Sequence, residues 1–221
     1  KKKTLIDSKN KVVERICDVC LSYNIKLIYI SSLQIYKNYG KQNIKINSPI
    51  NLKNLYSKSH YNSENIIFDK LSNYKRKFVI IRMGNVFGFQ KYNNLKQIQT
   101  NLIHDMCISA IKEKKICVNK GSLYRTFIPS KIFVQLINKI ISKNYFNNSI
   151  EDFFYTYFSL RDIGLIIKKR FKIIFNSNIE LIVKKFKKNI NLKNSFNRKF
   201  KFKIDKKKVY SEIDHILKYL K

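Results

Sequence analysis

The chain has 221 residues, of which 44% are hydrophobic, so it can bury the core of one domain or of one and a half. It contains no uninterrupted run of about 18 apolar residues, which argues against a membrane span. The formal net charge of +32 comes from 46 basic residues against 14 acidic ones, a balance that is typical of nucleic-acid-binding proteins.

The excess of positive charge has a second explanation. Most of the basic residues are lysines in segments that are also rich in Asn and Ile, and all three residue types have AT-rich codons. We therefore attribute the charge to codon bias and solvated lysine faces, and we expect no dedicated nucleic-acid partner. If the alternative holds, the densest basic run, Lys184 to Lys208, is where RNA or another anionic polymer would bind.

The apolar periodicity predicts helices and strands that alternate along the chain. The predicted helices cover residues 11–23, 56–74, 98–111, 132–141, 159–175 and 209–220. The predicted strands cover residues 26–31, 78–81, 115–119, 124–129, 153–158 and 179–186. Polar segments connect them at 1–10, 37–55, 89–97 and 187–205. Buried strands joined by helices predict an α/β fold with a parallel sheet and right-handed crossovers.

The first predicted helix carries two of the four cysteines, Cys17 and Cys20, at a spacing that also occurs in redox and metal pairs. These cysteines belong, however, to one apolar helical stripe of Val12, Val13, Ile16, Cys17, Cys20 and Leu21. We therefore predict that they pack in the core and that the chain holds no metal. Sparse free thiols without a disulfide framework favour a cytoplasmic location.

Polar groups that suit proton transfer follow the second predicted element. An apolar run ends at Ser31 and Ser32, and ligands of open α/β sheets bind at the carboxyl ends of the strands. Tyr56 and His60 are four residues apart, so they share one face of the next predicted helix. The residues alone leave two alternatives open: Tyr56 and His60 as ordinary surface residues, and a strand-end serine, Ser31 included, that only caps the loop.

In this order the motifs resemble the extended short-chain dehydrogenase/reductase family, the NAD-dependent sugar epimerases and dehydratases. That family has an apolar strand ending in Ser-Ser or Ser-Thr, followed by a Tyr-x-x-x-Lys helix. The resemblance implies that Ser32 is the catalytic serine and Tyr56 the acid/base tyrosine. His60 stands in the place of the lysine, as in Tyr-x-x-x-His enzymes of surface-polysaccharide clusters. It is expected to orient the nicotinamide ribose and, from an ordinary pKa of about 6.5, to be partly charged near pH 7.

Two further segments extend the resemblance. Arg82-x-x-Asn85-x-x-Gly88 is similar to the family's segment after the tyrosine helix, which implies that the backbone at Met83 borders the nicotinamide and that Asn85 contacts the substrate. For Asn85 and Gly88 the alternative is a turn. Arg125 resembles the arginine that binds the nucleotide diphosphate, a task that suits a guanidinium, although Thr126 replaces the usual acidic neighbour.

The resemblance thus implies an α/β fold with a Rossmann-like parallel sheet and a small C-terminal substrate-binding part. The sheet is expected to lack its first strands, since the sequence has no glycine-rich dinucleotide motif and does not begin with Met. Residues 1–95 are expected to belong to the NAD-binding domain, and residues 96–221 to a mixed region with the substrate-binding elements.

The expected function is that of an epimerase or reductase of nucleotide sugars in surface-polysaccharide metabolism, with NAD or NADP as cofactor. Leu33 and Gln34 stand where dehydratases of the family carry an acidic pair, which argues against a dehydratase. A homodimer is left open. The competing hypotheses are a non-catalytic basic protein that binds RNA or an anionic polymer, and an inactive remnant of the enzyme.

Overall fold

The chain divides into two compact units. A computed structural model describes residues 2–37, 39–40, 47–73, 77–88, 101–185, 200 and 202–221. The first unit comprises Lys1–Gly84, Leu136–Phe153 and Lys193–Lys201, and the second comprises Asn85–Gln135, Phe154–Leu192 and Phe202–Lys221. The domain boundary predicted at residue 95 lies outside the described residues.

Helices and strands alternate over most of the described chain. The α-helices are α1 (Lys2–Ser22), α2 (Leu55–Ser72), α3 (Leu102–Glu113), α4 (Ser130–Ser142), α5 (Leu160–Phe175) and α6 (Lys206–Leu220). The strands are β1 (Leu27–Ser32), β2 (Phe78–Met83), β3 (Asn85–Phe87), β4 (Lys115–Val118), β5 (Tyr124–Pro129), β6 (Ser149–Phe153), β7 (Thr156–Ser159) and β8 (Glu180–Val183). A short 3-10 turn, Leu33–Ile35, follows β1.

The first unit contains a parallel sheet of strand order β1-β2-β6, and every residue of β2 is buried. The two predicted strands around residues 26–31 and 78–81 are therefore parallel neighbours, as the apolar runs indicate. α1 packs against α2, and α2 also contacts β1. The predicted α/β fold with a parallel sheet is confirmed.

The core beside this sheet is built from α1, α2 and β2. Its buried residues are Val13, Cys17, Cys20, Ile67, Leu71, Phe78 and Ile80. Cys17 and Cys20 are free, buried thiols, as predicted. The predicted stripe is too wide, however, because Val12 is 55% exposed and Ile16 is 44% exposed. Positions 13, 17 and 20 follow one face of the helix, and each residue just before 13 or 17 is rotated by about 100° from that face.

Within the described residues, the second unit holds one sheet of three strands and one of two. In the first, β3 pairs with β5 in parallel and β5 pairs with β7 antiparallel. The other sheet pairs β4 with β8 in parallel, and helices α3, α5 and α6 contact one another.

The structure differs from the strand predictions in two segments. The strand predicted over 153–158 is in fact the end of β6 and most of β7, and the Tyr155 N–H between them donates to the Phe127 carbonyl of β5. The segment 82–88 contains the short strand β3. One apolar run does not reveal that its two halves pair with different sheets, because pairing partners are distant in sequence.

Within the described ranges, no helix combines the length and the apolar character needed to cross a membrane. In the same residues, no three His, Cys, Asp or Glu side chains come together as metal ligands would.

Candidate active site

Ser32 occupies the carboxyl end of β1 and is 6% exposed. Its Oγ accepts a hydrogen bond of 3.1 Å from the backbone N–H of Gln34 and so caps the 3-10 turn. A hydroxyl has one donor and two acceptor positions, and this bond uses one acceptor position. Ser31, the other candidate for the capping role, donates instead to Glu64. Ser32 therefore has a fixed oxygen whose O–H can still turn toward a ligand.

Tyr56 lies in the first turn of α2. The helix begins there because the Asn54 side chain caps it, accepting from the Tyr56 N–H at 2.9 Å. The neighbouring Ser57 Oγ donates to the backbone carbonyl of Gln34 at 2.9 Å. The backbone of Gln34 thus bonds both Ser32 and the first turn of α2, while the Tyr56 side chain remains 49% exposed.

His60 stacks edge-on against Tyr56. The ring centroids are 4.6 Å apart with an interplanar angle of 64°, as expected for residues one helical turn apart. The Tyr29 ring lies 6.4 Å from His60. Burial, and to a smaller extent the charge of Lys9, lowers the pKa of His60 to about 4. The prediction that His60 is partly charged near pH 7 is therefore wrong, and the imidazole is neutral at that pH.

One ring nitrogen of His60 lacks a hydrogen-bond partner within the described part of the chain. This atom, Nδ1, is buried. An unpaired buried nitrogen is costly unless a ligand supplies the partner.

Met83 ends β2 and pairs in register with Ser32 on one side and with Phe153 on the other. It is 5% exposed. Ser32 and Met83 are therefore direct neighbours at the carboxyl ends of β1 and β2, and they share the first unit with Tyr56 and His60.

Asn85 and Arg125 belong to the second unit. Asn85 lies in β3 rather than in a turn, and its Nδ2 donates to the Thr126 carbonyl at 3.0 Å. An Arg125 Nη1 donates to the Tyr124 carbonyl at 3.0 Å. Packing also explains why position 88 is a glycine, because a Cβ there would lie 2.2 Å from the Oγ of Ser130.

Sequence reasoning missed Tyr36, Glu64 and Asp152, which are buried residues of the first unit with polar or charged groups. Glu64 lies four residues beyond His60, so the continued spacing from Tyr56 is the signal that indicates it. Burial raises the pKa of Asp152 to about 6, although Tyr36 and Arg82 favour its charged form. Burial and the neighbouring Asp152 also raise the pKa of Tyr36.

The basic run from Lys184 to Lys208 lies mostly outside the described residues. The alternative that this run binds RNA or another anionic polymer therefore stays a hypothesis.

Comparisons with known proteins give a consistent picture. The model of the NAD dependent epimerase/dehydratase family matches residues 1–150. No curated protein sequence matches the chain. Among solved structures, the UDP-N-acetylglucosamine 4-epimerase from Methanobrevibacter ruminantium M1 has a TM-score of 0.71 and 20% identity, over 95% of this chain and 67% of that one.

Two other solved structures are similar over the whole chain. The ADP-L-glycero-D-manno-heptose-6-epimerase of Helicobacter pylori has a TM-score of 0.73 and 15% identity, and this chain covers 68% of it. The UDP-Glc/GlcNAc 4-epimerase of Campylobacter jejuni has a TM-score of 0.73 and 16% identity, and 72% of it is covered. At these identities the likeness concerns the fold.

Proposed function

Because this chain belongs to the NAD-dependent epimerase/dehydratase family, we propose that it carries the proton-transfer site of a nucleotide-sugar epimerase or reductase. The observation that carries the proposal is the position of Gln34. Its N–H bonds Ser32 and its carbonyl bonds the first turn of α2, so one residue sets both the serine and the helix that bears Tyr56.

Tyr56 is the proposed acid/base group. As the phenolate, its half-exposed oxygen would receive the proton of a sugar hydroxyl while a hydride leaves the same carbon for the nicotinamide ring. Ser32 is proposed to donate its O–H to the substrate oxygen, since its own oxygen is already fixed by the Gln34 N–H. In an epimerase the hydride returns to the opposite face of the sugar, and Tyr56 returns the proton.

His60 fits a nicotinamide cofactor, NAD or NADP. Its buried Nδ1 has no hydrogen-bond partner in the described ranges, and a ribose hydroxyl would supply one. The cofactor, when bound, supplies the hydride-accepting ring. A neutral His60 orients the ribose but adds no positive charge beside Tyr56.

Asn85 and Arg125 are the proposed substrate-binding residues, and the backbone at Met83 is the proposed border of the nicotinamide. A guanidinium binds a diphosphate in bidentate fashion, which suits Arg125 to a nucleotide sugar. The names of the similar structures support this substrate class, because they are epimerases of UDP-linked and ADP-linked sugars.

Epimerase or reductase chemistry is preferred over dehydration. The two positions after Ser32 carry no carboxylate: Leu33 is fully buried, and the backbone of Gln34 bonds Ser32 and α2. We further propose surface-polysaccharide precursors as the sugars, the cytoplasm as the location and a homodimer as the assembly.

The test is Tyr56→Phe in the enzyme, assayed with NAD on UDP-glucose, UDP-N-acetylglucosamine and ADP-heptose. Loss of the acid/base hydroxyl should lower kcat by roughly 10²–10⁴-fold. Tyr23→Phe is the matched control, since it removes the hydroxyl of a tyrosine that is 75% exposed. Wild-type turnover by Tyr56→Phe would refute the proposed site.

A further inference from the structure

A row of buried polar side chains crosses the sheet of the first unit beside the candidate site. Ser31, Arg82 and Asp152 are paired in register across β1, β2 and β6. Glu64 from α2 and Tyr36 join them, and each of the five is no more than 5% exposed. The next row toward the carboxyl ends of the strands contains Ser32 and Met83.

Glu64 is the point at which α2 is bonded to two strands. Its Oε1 accepts from the Ser31 Oγ at 2.5 Å. Its carboxylate also accepts from Arg82, with Nε at 3.0 Å from Oε1 and Nη2 at 2.6 Å from Oε2. Such a two-pronged contact fixes direction as well as distance, which a lone point charge does not.

The other side of Arg82 continues the row. Its Nη1 donates to the Tyr36 hydroxyl at 3.0 Å, and that hydroxyl donates to Asp152 at 2.9 Å. Arg82 is therefore bonded on two sides, and its guanidinium cannot rotate without breaking buried hydrogen bonds.

We propose that Glu64 and Arg82 are positioning residues that set Tyr56 against Ser32, an inference that rests on the proposed function. Two hydrogen-bonded points join α2 to the sheet strands and to the turn after β1: Ser57 on the Gln34 carbonyl and Glu64 on Ser31 and Arg82. They are seven residues apart, or roughly 10 Å along the helix axis. Two points at that separation determine the shift and tilt of α2, and thereby where Tyr56 lies.

The choice of a buried ion pair at Glu64 and Arg82 supports a role in positioning rather than in stability. A buried ion pair adds little net stability, because desolvation offsets much of its attraction, and apolar replacements are often as stable. What the apolar replacement loses is the directional contact.

The test replaces the pair by methionines, Glu64→Met with Arg82→Met, and follows kcat, KM and thermal unfolding. The variant should fold and keep its KM, while kcat should fall by about 10²-fold, since a misplacement of about 1 Å has that effect. On a Tyr56→Phe background the same pair of changes should have almost no further effect, because it acts through Tyr56.

The matched control is Arg170→Met with Asp214→Met. This pair is also bidentate, with hydrogen bonds of 2.7 and 2.5 Å between α5 and α6 of the second unit. It should leave kcat unchanged. A readout independent of substrate is hydrogen exchange at residues 55–60, which should become faster only in the Glu64/Arg82 variant.

Wild-type kcat or unchanged exchange at residues 55–60 in a folded Glu64/Arg82 variant would overturn the inference. So would an equal loss on the Tyr56→Phe background, which would assign the pair a structural role. If the double variant unfolds, Arg82→Lys is tested instead, because lysine keeps the positive charge but cannot form the two-pronged contact with Glu64. Wild-type kcat in Arg82→Lys would also refute the positioning role. Wild-type turnover by Tyr56→Phe alone would instead refute the proposed function and the inference with it.

Discussion

Asp152→Asn is expected to stabilise the protein at neutral pH and to do so in a pH-dependent way. Asp152 is 4% exposed, and burial raises its pKa from an ordinary value of 3.8 to about 6. Repulsion from Glu64 and Glu151 acts in the same direction. Between these two pH values the folded state binds more protons than the unfolded state, so folding stability falls as the pH rises.

The size of the effect follows from the two pKa values. A difference of about 2 corresponds to about 3 kcal/mol of unfolding free energy, fully present below pH 4 and lost once the pH exceeds 6. An asparagine carries no charge and can still accept from the Tyr36 hydroxyl, which now donates to Asp152 at 2.9 Å. The variant should therefore match the wild type near pH 4 and exceed it by up to about 3 kcal/mol at pH 7.5.

Urea unfolding of both proteins across this pH range measures the difference. Asp69→Asn is the control, because it removes an exposed carboxylate of the same unit and should change stability by less than about 0.5 kcal/mol. A variant that is less stable than the wild type at pH 7.5, or a difference that does not vary with pH, would show that folding does not raise the pKa of Asp152.

Two further predictions concern the site and the charge. His60→Lys should shift the acid limb of the pH–rate profile to lower pH by about one unit, because an ammonium beside Tyr56 stays charged where the neutral imidazole, with its pKa of about 4, does not. The imidazole resonance of His60 in the wild type should titrate near pH 4, and titration near 6.5 would contradict the buried position. RNA binding by the chain should be weak, lost between about 50 and 200 mM salt and equal for two unrelated sequences of one length, as anisotropy would measure. Tight, selective binding to one of them at physiological salt would favour the alternative function.

Several features of this protein are predictable from local pattern. Apolar runs ending at Ser31 and Arg82 indicate two buried strands, and the helix between them leaves parallel pairing as the natural arrangement. The four-residue spacing of Tyr56 and His60 is sufficient to bring their rings together, at 4.6 Å. Such features involve residues within one or two turns or along one strand, so the sequence contains their whole geometry.

The environment of His60 is not predictable from local pattern. Its pKa of about 4 depends on burial and on Lys9, which comes from α1, and the Tyr29 ring beside it comes from β1. Neither contact follows from the Tyr56–His60 spacing, so a partly charged histidine is the natural but wrong expectation. The prediction that Val12 and Ile16 are buried is wrong for a related reason. Periodicity identifies an apolar stripe on a helix, but it does not show how much of that stripe the neighbouring elements cover.

By itself the sequence determined most of the elements, the family and the identity of the proposed proton-transfer residues, because these depend on residue order and short spacings. The tertiary structure alone decided which polar groups face one another beneath them. Glu64 and Arg82 are 18 residues apart, Tyr36 and Arg82 are 46 apart, and Tyr36 and Asp152 are 116 apart. They meet because β1, β2 and β6 are adjacent in that order, and strand order is set by the packing of the whole unit rather than by any local pattern.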